Sequence, residues 1–387
     1  MPISFGHSII DEWLLDKRIN FLNNGSFGST PRVVIEEFER INRLIETEPL
    51  EFFLRQYYPL VRKSAIKLAH FIGVNANNLV FVENATAGVN TVLHSLTTIL
   101  NPGDEIIYTN QVYPAVLNAI HYVCLITGCK VNQVNIPYPI EDKSLILELI
   151  KAKLNSRTKI AVIDHIASAT SIIFPIKEII SICKANNTLL LVDGAHSPGM
   201  LNLNLSDLEV DFYVGNCHKW LFTPKGTALF FCRKELQELI HPLVISLDYG
   251  KGFIKEFDWI GTRNPSSWLS VSKALDFYYS LGKREIINYI HNLAIEASKM
   301  IIEELKIDMH LNEELYGAMV SFPIRKNDKI TNLNTLEIRN LFYDKYKIEI
   351  PFFIFNNELL FRISAQVYNE LTDYEKLITP LKTEFFN

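Results

Sequence analysis

Lys219 stands between a histidine and a tryptophan in the run Asn216-Cys217-His218-Lys219-Trp220, which continues to Thr223-Pro224-Lys225-Gly226. A lysine in that setting is a candidate nucleophile. Removing its ammonium from water lowers the pKa, and the free amine then attacks an aldehyde. Upstream lies Leu189-Leu190-Leu191-Val192-Asp193-Gly194-Ala195-His196-Ser197-Pro198-Gly199. Its apolar start predicts a fully buried strand that stops at Asp193. The end of a buried parallel strand is where an open α/β sheet places its ligand-binding groups. Val210-Asp211-Phe212-Tyr213-Val214 predicts a further strand, leading directly to the lysine.

A strand-end acid and a lysine after a later strand form the pair that pyridoxal phosphate requires. The lysine takes the aldehyde as a Schiff base, and the carboxylate holds the pyridinium nitrogen protonated so that the ring accepts electrons. Two further stretches suit a bound anion. Glu83-Asn84-Ala85-Thr86-Ala87-Gly88 opens a helix after the strand Leu79–Val82, a geometry that presents free N–H groups to a phosphate. Arg362 lies inside the apolar run Leu359-Leu360-Phe361-Arg362-Ile363-Ser364, where an unpaired guanidinium is costly.

Taken together, these stretches resemble the class V aminotransferase group of fold-type-one pyridoxal-phosphate enzymes, and within it the isopenicillin N epimerase-like branch. The resemblance runs in order from Leu22 to about Asn369. It implies that Lys219 is the imine lysine and that Asp193 tunes the ring. By the same resemblance, Ala85, Thr86 and His218 hold the cofactor phosphate and Tyr113 stacks on the pyridine ring. His165 and Ser168 match positions around the cofactor, Ser168 replacing a frequent asparagine, and His196 is a further candidate for the ring or its phenolate. Leu22-Asn23-Asn24-Gly25-Ser26-Phe27-Gly28 is similar to a segment lining the substrate side, with Asn24 as its candidate contact. Arg362 matches the arginine that clamps a substrate carboxylate. Gly261-Thr262-Arg263 resembles a segment that crosses a homodimer interface, so that Thr262 reaches the partner's phosphate; Asn264 follows where aspartate is usual.

Repeated buried strands and amphipathic helices from about 79 to 232 predict an α/β fold with a mainly parallel sheet flanked by helices. The resemblance makes that sheet the seven-stranded type. A smaller α+β C-terminal domain follows, with Ala318–Phe322 and Leu359–Ser364 as its clearest strands. The expected divisions are an N-terminal helical segment over 1–20 packing with the small domain, a cofactor-binding domain over 21–257 and the small domain over 258–387. Ile9, Ile10, Trp13 and Leu14 give residues 9 to 20 an amphipathic face. A helical pattern interrupted near Pro49 runs to Ile72, a loop spans about Ser246 to Phe257, and long helices are expected from Trp268 to Leu281 and from Arg284 to Leu305.

The charge balance, 38 − 43 = −5, gives no reason to expect nucleic acid or an anionic membrane as partner. No apolar run reaches membrane-spanning length, the N-terminus carries Asp11 and Glu12 unlike a signal peptide, and a cytoplasmic protein is expected. Five cysteines without C-x-x-C or zinc spacing predict reduced, mostly buried thiols and no metal site. Cys217 beside the lysine is read as a small packing residue.

The function implied is a pyridoxal-phosphate enzyme that binds an amino-acid-like small molecule through a Schiff base and removes its α-proton. An isopenicillin N epimerase-type epimerase comes first. A C–S lyase on a cysteine-derived thioether or sulfoxide, resembling hercynylcysteine sulfoxide lyases, is the alternative; an aminotransferase and an inactive cofactor-binding protein are further readings. Persulfide-forming desulfurases of this fold carry a cysteine on a loop before the carboxylate-binding arginine. Residues Ile348 to Asn357 contain none.

Overall fold

The computed structural model describes residues 4–324 and 334–386. In chain order its strands are β1 (Asn20–Phe21), β2 (Leu79–Val82), β3 (Glu105–Thr109), β4 (Lys130–Val134), β5 (Thr158–Asp164), β6 (Leu189–Asp193), β7 (Phe212–Asn216), β8 (Ala228–Cys232), β9 (Met319–Ile324), β10 (Ile348–Glu349), β11 (Phe352–Phe355) and β12 (Glu358–Ser364). Seven of them make one sheet in the order β2-β8-β7-β6-β5-β3-β4. Every pairing in it is parallel except those of β8, which runs antiparallel to β2 and β7. The expected mainly parallel seven-stranded sheet is what the chain forms.

Helices cover both faces, and the strands show why. In β2, Leu79 and Phe81 pack into one core while Val80 and Val82 pack into the other; in β3, Ile107 and Ile106 divide the same way. Side chains alternate across a strand, so a run apolar at every position buries both faces at once. The helix after β2, Ala85–Leu96, begins at Asn84, whose side chain accepts the Ala87 amide. Gly128 ends the helix Pro114–Thr127 at φ +75°, the left-handed turn that leads into β4.

The C-terminal region builds a separate three-stranded antiparallel sheet, β11-β12-β9. Its arginine strand is central, with Arg362 opposite Ser321 of β9. β1 pairs in parallel with β10, Asn20 against Ile348, so an N-terminal segment is joined to the C-terminal region.

Three local expectations change. The first helical turn is a 3-10 helix over Gly6–Glu12, and Trp13 leaves it to bridge Pro31. Its indole packs edge-on against Phe222, Phe277 and Tyr368, so tertiary burial overrides the amphipathic pattern that reached residue 20. The stretch expected as a loop before Asp258 holds a short helix, Phe253–Asp258, with Phe253 packed edge-on and Phe257 tilted against Phe230. The helix expected from Trp268 starts earlier and is divided at Ser270 into Ser266–Leu269 and Val271–Ser280, the Ser270 hydroxyl bonding back to the Ser266 carbonyl at 2.6 Å.

Candidate active site

A cleft of about 420 Å³ opens beyond the C-terminal ends of β5, β6 and β7. Asp164 ends β5, Asp193 ends β6 and Asn216 ends β7; all three line it. A short helix, Cys217–Trp220, turns directly from β7 and carries His218 and Lys219 into the cleft. From the opposite side the C-terminal sheet supplies Phe353 and Arg362, and the N-terminal segment supplies Gly25, Ser26 and Phe27.

Lys219 is surrounded by groups that set its charge. Burial lowers its pKa to about 7; the Arg362 guanidinium adds to the depression, and Asp193 and Asp164 oppose it. Its Nζ lies 3.2 Å from Nε2 of His196, whose Nδ1 is buried without a hydrogen-bond partner among the described residues. Desolvation, followed by the Lys219 and Arg362 charges, holds His196 well below the usual imidazole range, so that ring is neutral beside the amine. Burial raises the Asp193 carboxyl, and the Ala195 amide, donating to Oδ1 at 2.9 Å, offsets part of that rise.

Arg362 is 1% exposed, yet no carboxylate pairs with it among the described residues. Its Nη1 donates to the Ser168 carbonyl at 2.5 Å, Nη2 reaches the Ser26 hydroxyl at 3.5 Å, and Nε has no partner. The guanidinium carbon sits 5.1 Å from the centre of the Phe353 ring. Burial alone lowers its pKa to about 9. A buried cation with an unused donor on a cleft wall is prepared for an external carboxylate.

The β2 side offers donors that an anion could use. At the start of the helix Ala85–Leu96, the Ala85 amide is taken by Asn216 Oδ1 at 2.8 Å and the Ala87 amide by Asn84. The Thr86 amide makes no hydrogen bond among the described residues. His218 faces the same cleft, its Nδ1 against the Thr227 carbonyl at 3.1 Å, and burial lowers its pKa to about 4. Lys225, with its pKa lowered by burial, also lines the cleft and donates to the Gly28 carbonyl at 3.1 Å. At the rim Arg263 pairs with Glu83 at 2.5 Å and stacks 3.5 Å over the Trp268 ring.

Of the residues singled out in the sequence, Lys219, Asp193, His196, His218, Ala85, Thr86, Tyr113, Ser168 and Arg362 meet in this cleft. Three lie outside its lining. Asn24 turns inward, donating to the Lys219 carbonyl at 3.1 Å and accepting the Tyr368 hydroxyl at 3.1 Å, so it braces the lysine turn from behind. His165 follows Asp164 but points away, its Nδ1 2.8 Å from the Tyr213 hydroxyl; burial lowers its pKa to about 4. Thr262 is exposed, on the segment that Arg263 ties to Glu83. Asp164, Asn216, Lys225 and Phe353 join the cleft without having been singled out for it. Of these, Asp164 and Asn216 carried a readable signal, since both are polar residues closing apolar strands.

This set fits pyridoxal phosphate. The site offers a desolvated lysine near its titration point, a buried strand-end carboxylate, a free helix-start amide and two basic side chains. Each answers one part of the cofactor: aldehyde, ring nitrogen and phosphate.

The sequence model of the family described as Aminotransferase class-V matches residues 34–351. An L-cysteine desulfhydrase of Arabidopsis thaliana is 28% identical, over 92% of this chain and 86% of its own length. An isopenicillin N epimerase of Amycolatopsis lactamdurans is 26% identical, over 95% of this chain and 96% of its own. Among solved structures, the cystine C–S lyase C-DES in complex with its product cysteine persulfide superposes with a TM-score of 0.82 at 21% identity, covering 95% of this chain and 98% of the other.

Proposed function

This chain belongs to the class V aminotransferase family and is a pyridoxal-phosphate-dependent enzyme, and from that premise we propose that it is a C–S lyase acting on a cysteine-like amino acid, as a cytoplasmic homodimer. The observation that carries this reading is the concentration of proton-transfer capacity at one point. Lys219 and its neighbour His196 are 3.2 Å apart and address the same side of the cleft. Elimination asks for one base; epimerisation asks for proton delivery to both faces of the α-carbon.

When bound, the cofactor supplies an aldehyde for the substrate amine and a ring that withdraws electrons from the α-carbon. The remaining tasks fall to the protein. Arg362 holds the substrate carboxylate through its unused donors and fixes which α-bond faces Lys219. With a pKa of about 7, Lys219 is substantially a free amine at neutral pH and accepts the α-proton. Asp193 would pair with the ring nitrogen, and the Thr86 amide and His218, on the helix start that Ala85 opens, would hold the phosphate end. As the α-proton leaves, the Cβ–S bond breaks with both electrons on sulfur, which departs as a thiol or persulfide after taking a proton. The released 2-aminoacrylate hydrolyses to pyruvate and ammonium.

No cysteine lines the cleft: Cys124 is half-buried and Cys129, Cys183, Cys217 and Cys232 are buried elsewhere. A persulfide formed on the protein itself therefore has no acceptor there, and the sulfur leaves in the product. The desulfhydrase relative supports this reading. Epimerisation is the second reading, supported by the isopenicillin N epimerase relative.

Incubation in heavy water with cysteine, cystine and S-alkylcysteines separates the two. The lyase gives pyruvate, ammonium and a free sulfur fragment in equal amounts. A retained carbon skeleton, inverted and deuterated at the α-carbon, overturns the lyase reading.

A further inference from the structure

The cleft floor holds a second carboxyl that none of the roles above uses. Asp164 and Asp193 are Cα partners on the adjacent parallel strands β5 and β6. Paired residues in such strands project to the same face, so the two carboxyls leave the sheet side by side. Each is 3% exposed and each lines the cleft. Their support differs. Asp193 accepts the Ala195 amide, whereas Asp164 Oδ2 is buried without a hydrogen-bond partner among the described residues.

Little else is present to neutralise two anions. Lys219 and His218 come from the helix after β7, His196 from the turn after β6 and Arg362 from β12. The neighbouring His165 is turned onto Tyr213. Both histidines in the cleft are held neutral, and Arg362 forms no ion pair with either acid among the described residues. Two carboxylates this close, with water excluded, repel each other with little screening, and one proton removes the conflict.

We propose that Asp164 carries that proton at neutral pH and acts as an O–H donor on the cleft floor, a positioning residue that leaves Asp193 the single carboxylate there. The asymmetry of support decides which acid keeps the proton: Asp193 accepts the Ala195 amide, whereas Asp164 has only its own backbone amide and an Oδ2 left without a partner, and it also faces the Asp193 charge. Burial and then the Asp193 charge raise the Asp164 carboxyl well above the ordinary range, in line with this assignment. Lys219 benefits directly. An ionised Asp164 adds a second counter-anion and draws the lysine toward ammonium; a protonated one leaves the amine available. The orphaned oxygen also gains a use, as a donor toward the bound cofactor.

The charge of Asp164 can be read without turnover. In apo-protein labelled with 13C at the aspartate carboxyls, the resonance missing from Asp164→Asn is expected at the protonated-carboxyl position at pH 7. Finding it at the ionised position overturns the proposal. Asp164→Ser provides the same assignment where the asparagine variant does not fold. A second readout is the pH dependence of Lys219 acylation in apo-protein, followed by mass spectrometry. Asn replaces a neutral donor with a neutral donor, so the midpoint is expected to move by less than about 0.3 pH units, whereas a fall of about one unit or more reveals a lost negative charge and overturns the assignment. Pyridoxal phosphate affinity, from absorbance titration, is expected to stay within about threefold in Asp164→Asn and to weaken about tenfold in Asp164→Leu, which has no donor. Wild-type affinity in the leucine variant refutes the donor role.

Discussion

At the scale of single residues, the site is a balance of buried charges. Lys219 is the residue to test first. Its acylation in apo-protein is expected to rise with pH through a midpoint near 7 and level off above it, because only the free amine reacts and burial favours the free amine. A midpoint near the ordinary lysine value refutes this. Borohydride reduction of the loaded protein followed by peptide mapping is expected to label Lys219, and Lys219→Ala is expected to abolish the label. Arg362→Ala has two expected effects of different origin. It removes a charge that depresses Lys219, so the acylation midpoint shifts upward. It also removes a desolvated carboxylate partner, weakening amino-acid substrates by about 2–5 kcal/mol with little change in cofactor affinity. Unchanged substrate affinity marks Arg362 as structural. Lys219 and Asp193 were legible in the sequence because each ends or follows an apolar run at a place with few structural alternatives. Asp164 was visible as a strand end, but only its register with Asp193 puts it on the cleft floor. His165, one residue along, faces the other way, as alternation along a strand requires, although the resemblance matched it to a position around the cofactor.

At the scale of elements, the loops bracing the lysine turn matter as much as the strands. Gly28 adopts φ +70°, and a Cβ built there falls 1.9 Å from the His218 carbonyl oxygen. That contact is backbone, so no rotamer change relieves it. Gly28→Ala is expected to lower thermal stability by about 2 kcal/mol or more and to reduce cofactor occupancy, since the lysine turn itself must move. A variant with wild-type melting and full absorbance contradicts this packing. Asn24→Ala is expected to cost about 1–3 kcal/mol by leaving the Tyr368 hydroxyl and the Lys219 carbonyl short of a partner, measurable by denaturant unfolding. Here the sequence was readable in part. Strands apolar at every position announced a sheet covered on both faces. The inward turn of Asn24 depended on Tyr368, which is remote in the chain, so the motif indicated a neighbourhood and left the orientation open. Trp13 shows the same limit: its amphipathic context favoured helix, and three distant aromatic rings decided otherwise.

At the scale of the whole molecule, Thr262 is exposed and does not line its own cleft, while Arg263 next to it is tied to the rim by Glu83. That arrangement accords with a threonine presented to a second copy. Light scattering is expected to give about twice 44.5 kDa, and Thr262→Ala to weaken cofactor binding without dissociating the pair. A monomer with full cofactor affinity removes the partner contribution. No helix among the described residues is long and apolar enough to cross a membrane. The parallel pairing of β1 with β10 bears on how the protein is made. Asn24, just after β1, braces the lysine turn, and Arg362, on β12, completes the wall opposite. During synthesis the central sheet and its reactive lysine emerge well before that last strand. A nascent chain therefore presents Lys219 without the arginine that both binds a carboxylate and helps to hold the amine uncharged. Reactivity and selectivity of the amine are thus completed together at the close of translation, and a ribosome stalled between β9 and β12 leaves a polypeptide whose lysine has neither its full burial nor its arginine.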